Sequence, residues 1–373
     1  SDLGNGQSIG TYGDPLLPRP ILRPTAAAVR SNACLSWINP LGASLMDIEL
    51  DCSAVDSGSN LYHGVAFQSN ANTAVFGNVL VSGCKIRPPR TASTGWAAGI
   101  SVYKRTSDNS ASAYTRSGQV RIEGNEVYGG GGHGIITTGA LGFQDAAGKW
   151  VGVDVLDNDV YDCGRDYDSH GITSYSDSAF SGSSISWTLT SGTTYWMSVS
   201  AAMSRSVYDV DLAYIVWFSS DSCTHNLTKN TATPTTPAAG EYGFDNGTQR
   251  LYVNLGGTLG ASDVLQIGCS FPRGLLVGFN RVRGMLLQYN APFPEGTGIQ
   301  LDDWVSDSMV VGNRVWNNGG SGLFINKGQR NRLIRNVVLD NGLTGITMSG
   351  HGNSIEANVI RGSSARPVNN LRG

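Results

Sequence analysis

The sequence predicts an all-β chain wound into stacked rungs of short parallel strands, and three observations carry that expectation. An Asn followed two residues later by an aliphatic side chain recurs as Asn125-Glu-Val127, Asn158-Asp-Val160, Asn280-Arg-Val282, Asn313-Arg-Val315, Asn336-Val-Val338 and Asn358-Val-Ile360. A Gly directly before an aliphatic recurs at Gly64, Gly99, Gly134, Gly171, Gly298, Gly322 and Gly345. The two phrases keep step: Asn313, Asn336 and Asn358 are 23 and 22 residues apart, and Gly298, Gly322 and Gly345 are 24 and 23 apart. A fixed internal period is the signature of a repeat architecture.

A repeat this short holds three strands and three turns rather than a pair of helices. Segments such as Gly322-Leu-Phe-Ile325 and Gly345-Ile-Thr-Met348 alternate with period two, as strands do. Rungs would then stack about 4.8 Å apart, and an Asn at the same corner of each rung can pair its amide with the next. Cys84 takes the Asn place when Val81-Ser-Gly-Cys-Lys-Ile86 is laid against Arg121-Ile-Glu-Gly-Asn-Glu-Val127. Between Gly64, Gly99, Gly134 and Gly171 the steps lengthen to 35, 35 and 37 residues, the same unit with larger loops.

One step breaks the rhythm, the 122 residues from Asn158 to Asn280. Residues 181–268 within it are rich in Ser, Thr, Tyr and Trp and punctuated by Pro234, Pro237 and Gly240. They read as a small inserted β-rich domain, leaving 1–180 and 269–373 as the two parts of one solenoid.

Composition narrows the function. With 40% hydrophobic residues in 373, the chain can bury a large core, which excludes wholesale disorder. Charged residues are 15% and the net charge is −3, with no basic run in sequence, which argues against nucleic acid. No apolar stretch approaches the roughly 18 residues of a membrane span. The first residue is Ser and no leader follows, so the chain reads as a mature or trimmed form. Six cysteines without a C-x-x-C pair, a Gly/Ser/Thr/Asn-rich surface, and the glycosylation patterns Asn226-Leu-Thr228 and Asn246-Gly-Thr248 suit a secreted protein with one or two disulfides.

Aligning the rungs on the Gly brings distant residues into columns, because strand side chains alternate between faces. The outward column four residues after Gly reads Gln68, Tyr103, Thr138, Tyr175, Asp302, Asn326, Ser349, and the next reads Ser69, Lys104, Gly139, Ser176, Asp303, Lys327, Gly350. The column before Gly carries His63, Ala98, His133, His170, Thr297, Ser321 and Thr344. His170 also closes the most polar run of the chain, Arg165-Asp-Tyr-Asp-Ser-His170. A phenol, carboxylates, imidazoles and cations thus converge within two or three rungs.

The repeat resembles the right-handed parallel β-helix proteins of the pectate-lyase-like superfamily, over roughly residues 40–176 and 271–365. That resemblance implies an outer-face groove that binds polysaccharide, although the same coil also carries non-catalytic adhesins and tailspikes. Asp168-Ser-His170 after Tyr167 is similar to the Asp-Pro-His element of alginate epimerases, without its Pro. The Asp302-Asp303 pair and His170-Gly171 resemble polygalacturonase motifs in reversed order, without the Arg-x-Lys.

The expected function is secreted polysaccharide cleavage, leaning to a lyase on a uronic-acid polymer. Elimination needs a cation to neutralise the uronate, a base for the C5 proton and an acid for the leaving oxygen. His170, Tyr175, Asp302, Asp303 and Asp168 are the catalytic candidates; Arg165, Lys327, Gln300, Trp304, Asn326 and His133 are the substrate-binding ones. The alternatives are a hydrolase using an Asp pair and a non-catalytic β-helix that is a monomer or stacks end to end. No cofactor is implied and no metal ligands are assigned; Asp302, Asp303 and Asp166 are the one set that could take Ca²⁺. His170 also has a purely structural reading, as a turn residue, and Asp302-Asp303 one as a turn that caps backbone amides.

Overall fold

The computed structural model describes residues 2–370 apart from 4–5, 11–17, 25–32, 39, 55–62, 70–76, 91–96, 105–118, 139–142, 145–149, 165–168, 176–178, 181–186, 199–212, 219–223, 231, 246, 249, 259–263, 270–272, 287–295 and 303–304. Three parallel sheets form a coil. Sheet I has ten strands, including His63–Ser69, Ala98–Lys104, His133–Thr138, Ile172–Tyr175, Ile299–Leu301, Leu323–Gln329 and Thr344–His351. Sheets II and III have nine strands each. A rung visits sheet II, turns one corner into sheet III and returns to sheet I, as Met309–Val311, Arg314–Trp316 and Leu323–Gln329 do. Neighbouring rungs pair in parallel register, for example Val282↔Val315↔Val338.

The aliphatics of the repeat fill the interior. Val127, Val160, Val282, Val315 and Val338 of sheet III are fully buried against Ile122, Val155, Val277, Val310 and Leu333 of sheet II and Ile100, Ile135, Ile172, Ile299 and Leu323 of sheet I. Each contributes roughly 1.5–3 kcal/mol by leaving water. The repeated Gly stands where sheet I meets that Val column. A Cβ at Gly298 would overlap Cγ1 of Val315 and approach the Gly322 carbonyl oxygen to 2.8 Å, and the same pair of obstacles recurs at Gly99, Gly134, Gly171 and Gly322. Close approach, not backbone freedom, fixes glycine in this column.

The Asn phrase lies at the corner between sheets II and III. The residue before each Asn is left-handed, from φ 52° at Asp157 to 64° at Gly312, and the bend turns the Asn side chain inward. Its amide then bridges rungs: Asn125 Nδ2 donates to Asn158 Oδ1, Asn158 to Asn280, Asn280 to Asn313 and Asn313 to Asn336, each at 2.9 Å, and Asn336 to Asn358 at 2.8 Å. Cys84 occupies the preceding place, its N–H donating to Asn125 Oδ1 at 2.9 Å. Two shorter ladders occupy the other corners: Ser308, Asn331 and Asn353 on one, Asn318 and Asn341 on the other.

Strands between Tyr175 and Arg273 pair with one another. Ala179–Phe180, Val264–Cys269, Ala213–Phe218 and Thr224–Asn226 form a four-stranded sheet; Thr188–Ser191, Thr194–Ser198, Arg250–Asn254, Glu241–Asp245 and Thr228–Lys229 form a five-stranded one. The latter has its own buried side chains in Met197, Tyr242, Leu251 and Val253. Cys34 and Cys52 form a disulfide, and Cys84 and Cys163 are buried free thiols. Among the described residues no helix is long and apolar enough to cross a membrane.

Candidate functional site

The outer faces of sheets II and III are half-exposed, with strands whose burial alternates around one inward residue. The outer face of sheet I differs. Its column two residues after the Gly is covered: Ala66, Ser101, Ile136, Thr173, Gln300 and Thr347 are all under 9% exposed. Of the same column Phe324 is only half-buried. The open groove expected from the polar sequence is therefore confined, among the described residues, to the neighbouring column and to the later rungs.

That neighbouring column is a hydrogen-bonded rail. Asn326 Nδ2 donates to Asp302 Oδ1 at 2.7 Å, and Ser349 Oγ donates to Asn326 Oδ1 at 3.4 Å. All three side chains are partly exposed. Tyr175 stands one rung before Asp302: Thr138 pairs with Tyr175, and the Asp302 N–H bonds the Ser174 carbonyl at 2.8 Å. Its backbone is placed, as is that of Lys327 within Leu323–Gln329.

Beside the rail lie buried oxygens. Thr173 and Gln300 are register partners on adjacent rungs. Thr173 Oγ1 and Gln300 Oε1 have no hydrogen-bond partner among the described residues. A buried oxygen left so costs about 1–3 kcal/mol. Ser321 Oγ and Thr344 Oγ1 meet at 2.7 Å one column over, and Thr344 Oγ1 bonds Thr347 Oγ1.

The histidines stack as the Gly alignment expects, but in the dark. His133 is fully buried and His170 is 2% exposed, with ring centroids 5.3 Å apart. The His170 backbone N–H donates to His133 Nδ1 at 3.0 Å, so in its neutral form His133 carries its proton on Nε2. Burial, with His133 adding to it, pushes His63 down to about 3.

The sequence-predicted residues thus divide. Asp302, Asn326 and Gln300 are described and lie together on sheet I, with His133 and His170 buried at the start of its rungs; Tyr175 and Lys327 belong to sheet I strands by backbone. Arg165, Asp168, Asp303 and Trp304 lie outside the described residues, as does Asp166. Among the described residues no group of three or more His, Cys, Asp and Glu side chains is arranged to hold a metal. Trp316 stands on sheet III, where Arg283 and Arg314 lie over its ring at 5.3 and 5.0 Å. Gln300 is among the expected substrate-binding residues, whereas its register partner Thr173 was not foreseen, since in sequence it is an ordinary outward polar residue.

Residues 268–371 match a family model described as right handed beta helix region. Together with the three parallel sheets, this gives the chain an all-β parallel β-helix fold. No curated protein sequence matches it. Among solved structures, it is similar to the periplasmic alginate epimerase AlgG, at a TM-score of 0.36 and 12% identity, covering 90% of this chain and 62% of that one. It is also similar to the Dettilon tailspike protein gp208, at a TM-score of 0.36 and 12% identity, covering 100% of this chain and 60% of that one. A third likeness is the A-module of the Azotobacter vinelandii mannuronan C-5 epimerase AlgE6, at a TM-score of 0.34 and 10% identity, covering 100% and 91%. The chain spans less than two thirds of the length of AlgG.

Proposed function

We propose that the protein is secreted and acts on an acidic polysaccharide along the outer face of sheet I, cleaving it by β-elimination. The observation that carries this reading is the Asp302–Asn326–Ser349 rail, partly open to solvent on the outer face of sheet I. A sugar chain laid across the strands meets this rail. The Asp302 carboxylate, aimed by the Asn326 amide, takes the C5 proton. The electron pair left behind forms the C4–C5 double bond as the C4–O4 bond breaks, and O4 takes a proton from Tyr175, one rung away. Lys327 or Arg165 neutralises the uronate, His133 and His170 support the site from the buried side, and Asp168, Asp303 and Trp304 are its further candidates. The Cys34–Cys52 disulfide supports an oxidising compartment.

Incubation with uronate polymers should release a product absorbing as an unsaturated uronate. Asp302→Asn and Tyr175→Phe should each slow this by about a hundredfold or more, as loss of an acid–base group does. Unchanged rates in both variants would remove the site. Reducing ends from neutral glycans without unsaturated product would make the enzyme a hydrolase, and inversion at C5 seen by NMR would leave proton abstraction as the whole reaction. A non-catalytic glycan binder is the second reading, favoured by the depth of His170; saturable binding without any turnover would establish it.

A further inference from the structure

The corner between sheets II and III carries an aromatic side chain in a conformation that opposes it. Phe279 has φ 59° and is 61% exposed, the most exposed large hydrophobic described. Left-handed backbone is uncommon for any residue but Gly, Asn or Asp, and is an outlier for a bulky one. The next rung presents Gly312 at the same corner, and a Cβ there would stand 2.8 Å from Phe279 Cδ1 and Cε1. The ring therefore rests on the Gly312 backbone on one side and leaves its other side to solvent. The left-handed corner is common to every rung of this ladder, so what sets Phe279 apart is an aromatic face left open to solvent, a surface suited to a ligand.

The surroundings state which ligand. Arg281 and Arg314 follow Phe279 and Gly312 by two residues and are paired in register on sheet III, like-charged residues on strands about 4.8 Å apart. Arg335 holds the same corner one rung beyond Gly312, as the Gly312 N–H to Ile334 carbonyl bond shows. Arg283, the next outward residue, lies 4.4 Å over Tyr161 and 5.3 Å over Trp316. Asp159 answers Arg281 at 3.6 Å and also bonds Arg283. Arg314 and Arg335 are exposed and have no carboxylate partner among the described residues. Like charges set side by side across strands are destabilising unless an anion offsets them.

We infer that this corner is a second, non-catalytic binding site for an acidic polysaccharide, with an apolar sugar face stacked on Phe279 and carboxylates held by Arg281, Arg314 and Arg335. A uronate chain, with one carboxylate per ring, suits cations spaced by single rungs. Duplex nucleic acid, with a charge every ~1.7 Å, needs a denser basic surface than a chain of net charge −3 displays here. The site faces away from sheet I and does not depend on the reaction proposed there.

The test is calorimetric titration of the full-length protein with a hexameric oligouronate, in an Asp302→Asn background that keeps the substrate intact. Binding should weaken as salt rises. The double variant Arg314→Gln, Arg335→Gln should lower this affinity tenfold or more, and Phe279→Asn, which suits a left-handed corner, should lower it severalfold. Both should melt within a few degrees of the parent and keep parental activity when Asp302 is restored. Loss of activity in the Asp302→Asn protein with this binding intact would separate the two sites. Undiminished affinity in both corner variants overturns the inference, as does equal affinity for a neutral glucan hexamer or tighter binding of an oligonucleotide.

Discussion

Asn313 is the strictest probe of how the coil is held. Its side chain is fully buried in the middle of the ladder, and Oδ1 accepts from both the backbone N–H and Nδ2 of Asn280 at 2.9 Å. Its own Nδ2 donates to Asn336 Oδ1 and to the Val277 carbonyl, again at 2.9 Å. Asn313→Ala removes all four bonds. Asn336 Oδ1 keeps the Asn313 backbone N–H, but the Asn280 N–H, one Asn280 amide hydrogen and the Val277 carbonyl are left short in a site that water does not reach. At about 1–3 kcal/mol for each of the three stranded groups, the loss should be about 3–9 kcal/mol. Asn358→Ala is the control. It removes comparable bonds, to Asn336 and Leu333, but its rung is partly exposed and water can replace them, so it should cost about 1 kcal/mol. The assay is equilibrium unfolding in guanidinium chloride followed by tryptophan fluorescence, with denaturant slopes compared to show that the same unit unfolds. Equal losses in the two variants, or less than about 1 kcal/mol for Asn313→Ala, would refute the view that interior amides are held against orphaned partners.

Two further outcomes follow from buried titratable groups. His63 is neutral when folded and its value is depressed to about 3 from the ordinary 6.5, so between those pH values the unfolded chain binds the extra proton. Stability from this residue is complete above pH 6.5 and falls as pH drops toward 3, by up to about 1.4 kcal/mol per unit; His63→Gln should flatten that part of the curve, and an unchanged slope would exclude the residue. Burial also pushes the Cys84 and Cys163 thiols up to about 11 and about 12, so both should resist iodoacetamide at pH 8 in the native protein and react once it unfolds. Peptide mapping reads this directly, and native labelling at either position would contradict it.

The phase of the coil was legible because two residue types mark it for mechanical reasons: no Cβ fits at Gly298 or its equivalents, and only an amide bridges the corner at Asn313. Even Cys84 could be placed, since register alone decides its position. The shorter ladders at Asn318–Asn341 and Ser308–Asn331–Asn353 were missed because they run through too few rungs to form a period. The depth of His170, Thr173 and Gln300 was missed for another reason: polar residues alternating on a strand read as a wetted face, and nothing in the pattern reveals a cover. The basic corner was readable in principle. Arg281-Val-Arg283 and Arg314-Val-Trp316 flank the inward Val of sheet III, but they align only when rungs are superposed on the Asn, not on the Gly.

The long excursion between Asn158 and Asn280 shows why the candidate site sits where it does. The hydrogen bond from the Asn158 amide to Asn280 Oδ1 is 2.9 Å long, the same as that from Asn280 to Asn313, although 122 residues separate the first pair and 33 the second. Closing the longer connection costs only about 1 kcal/mol more, since the penalty grows with the logarithm of length. A rung therefore tolerates an insertion of almost any size at its corner without disturbing its neighbours, whose contacts reach only one rung away. The excursion leaves the coil after Ile172–Tyr175, and sheet I resumes at Ile299–Leu301, so Tyr175 and Asp302 come from opposite sides of it yet occupy adjacent rungs. The backbones at Tyr175 and Asp302 are thereby held on adjacent rungs of the sheet, while the inserted strands are free to vary in whatever they present nearby.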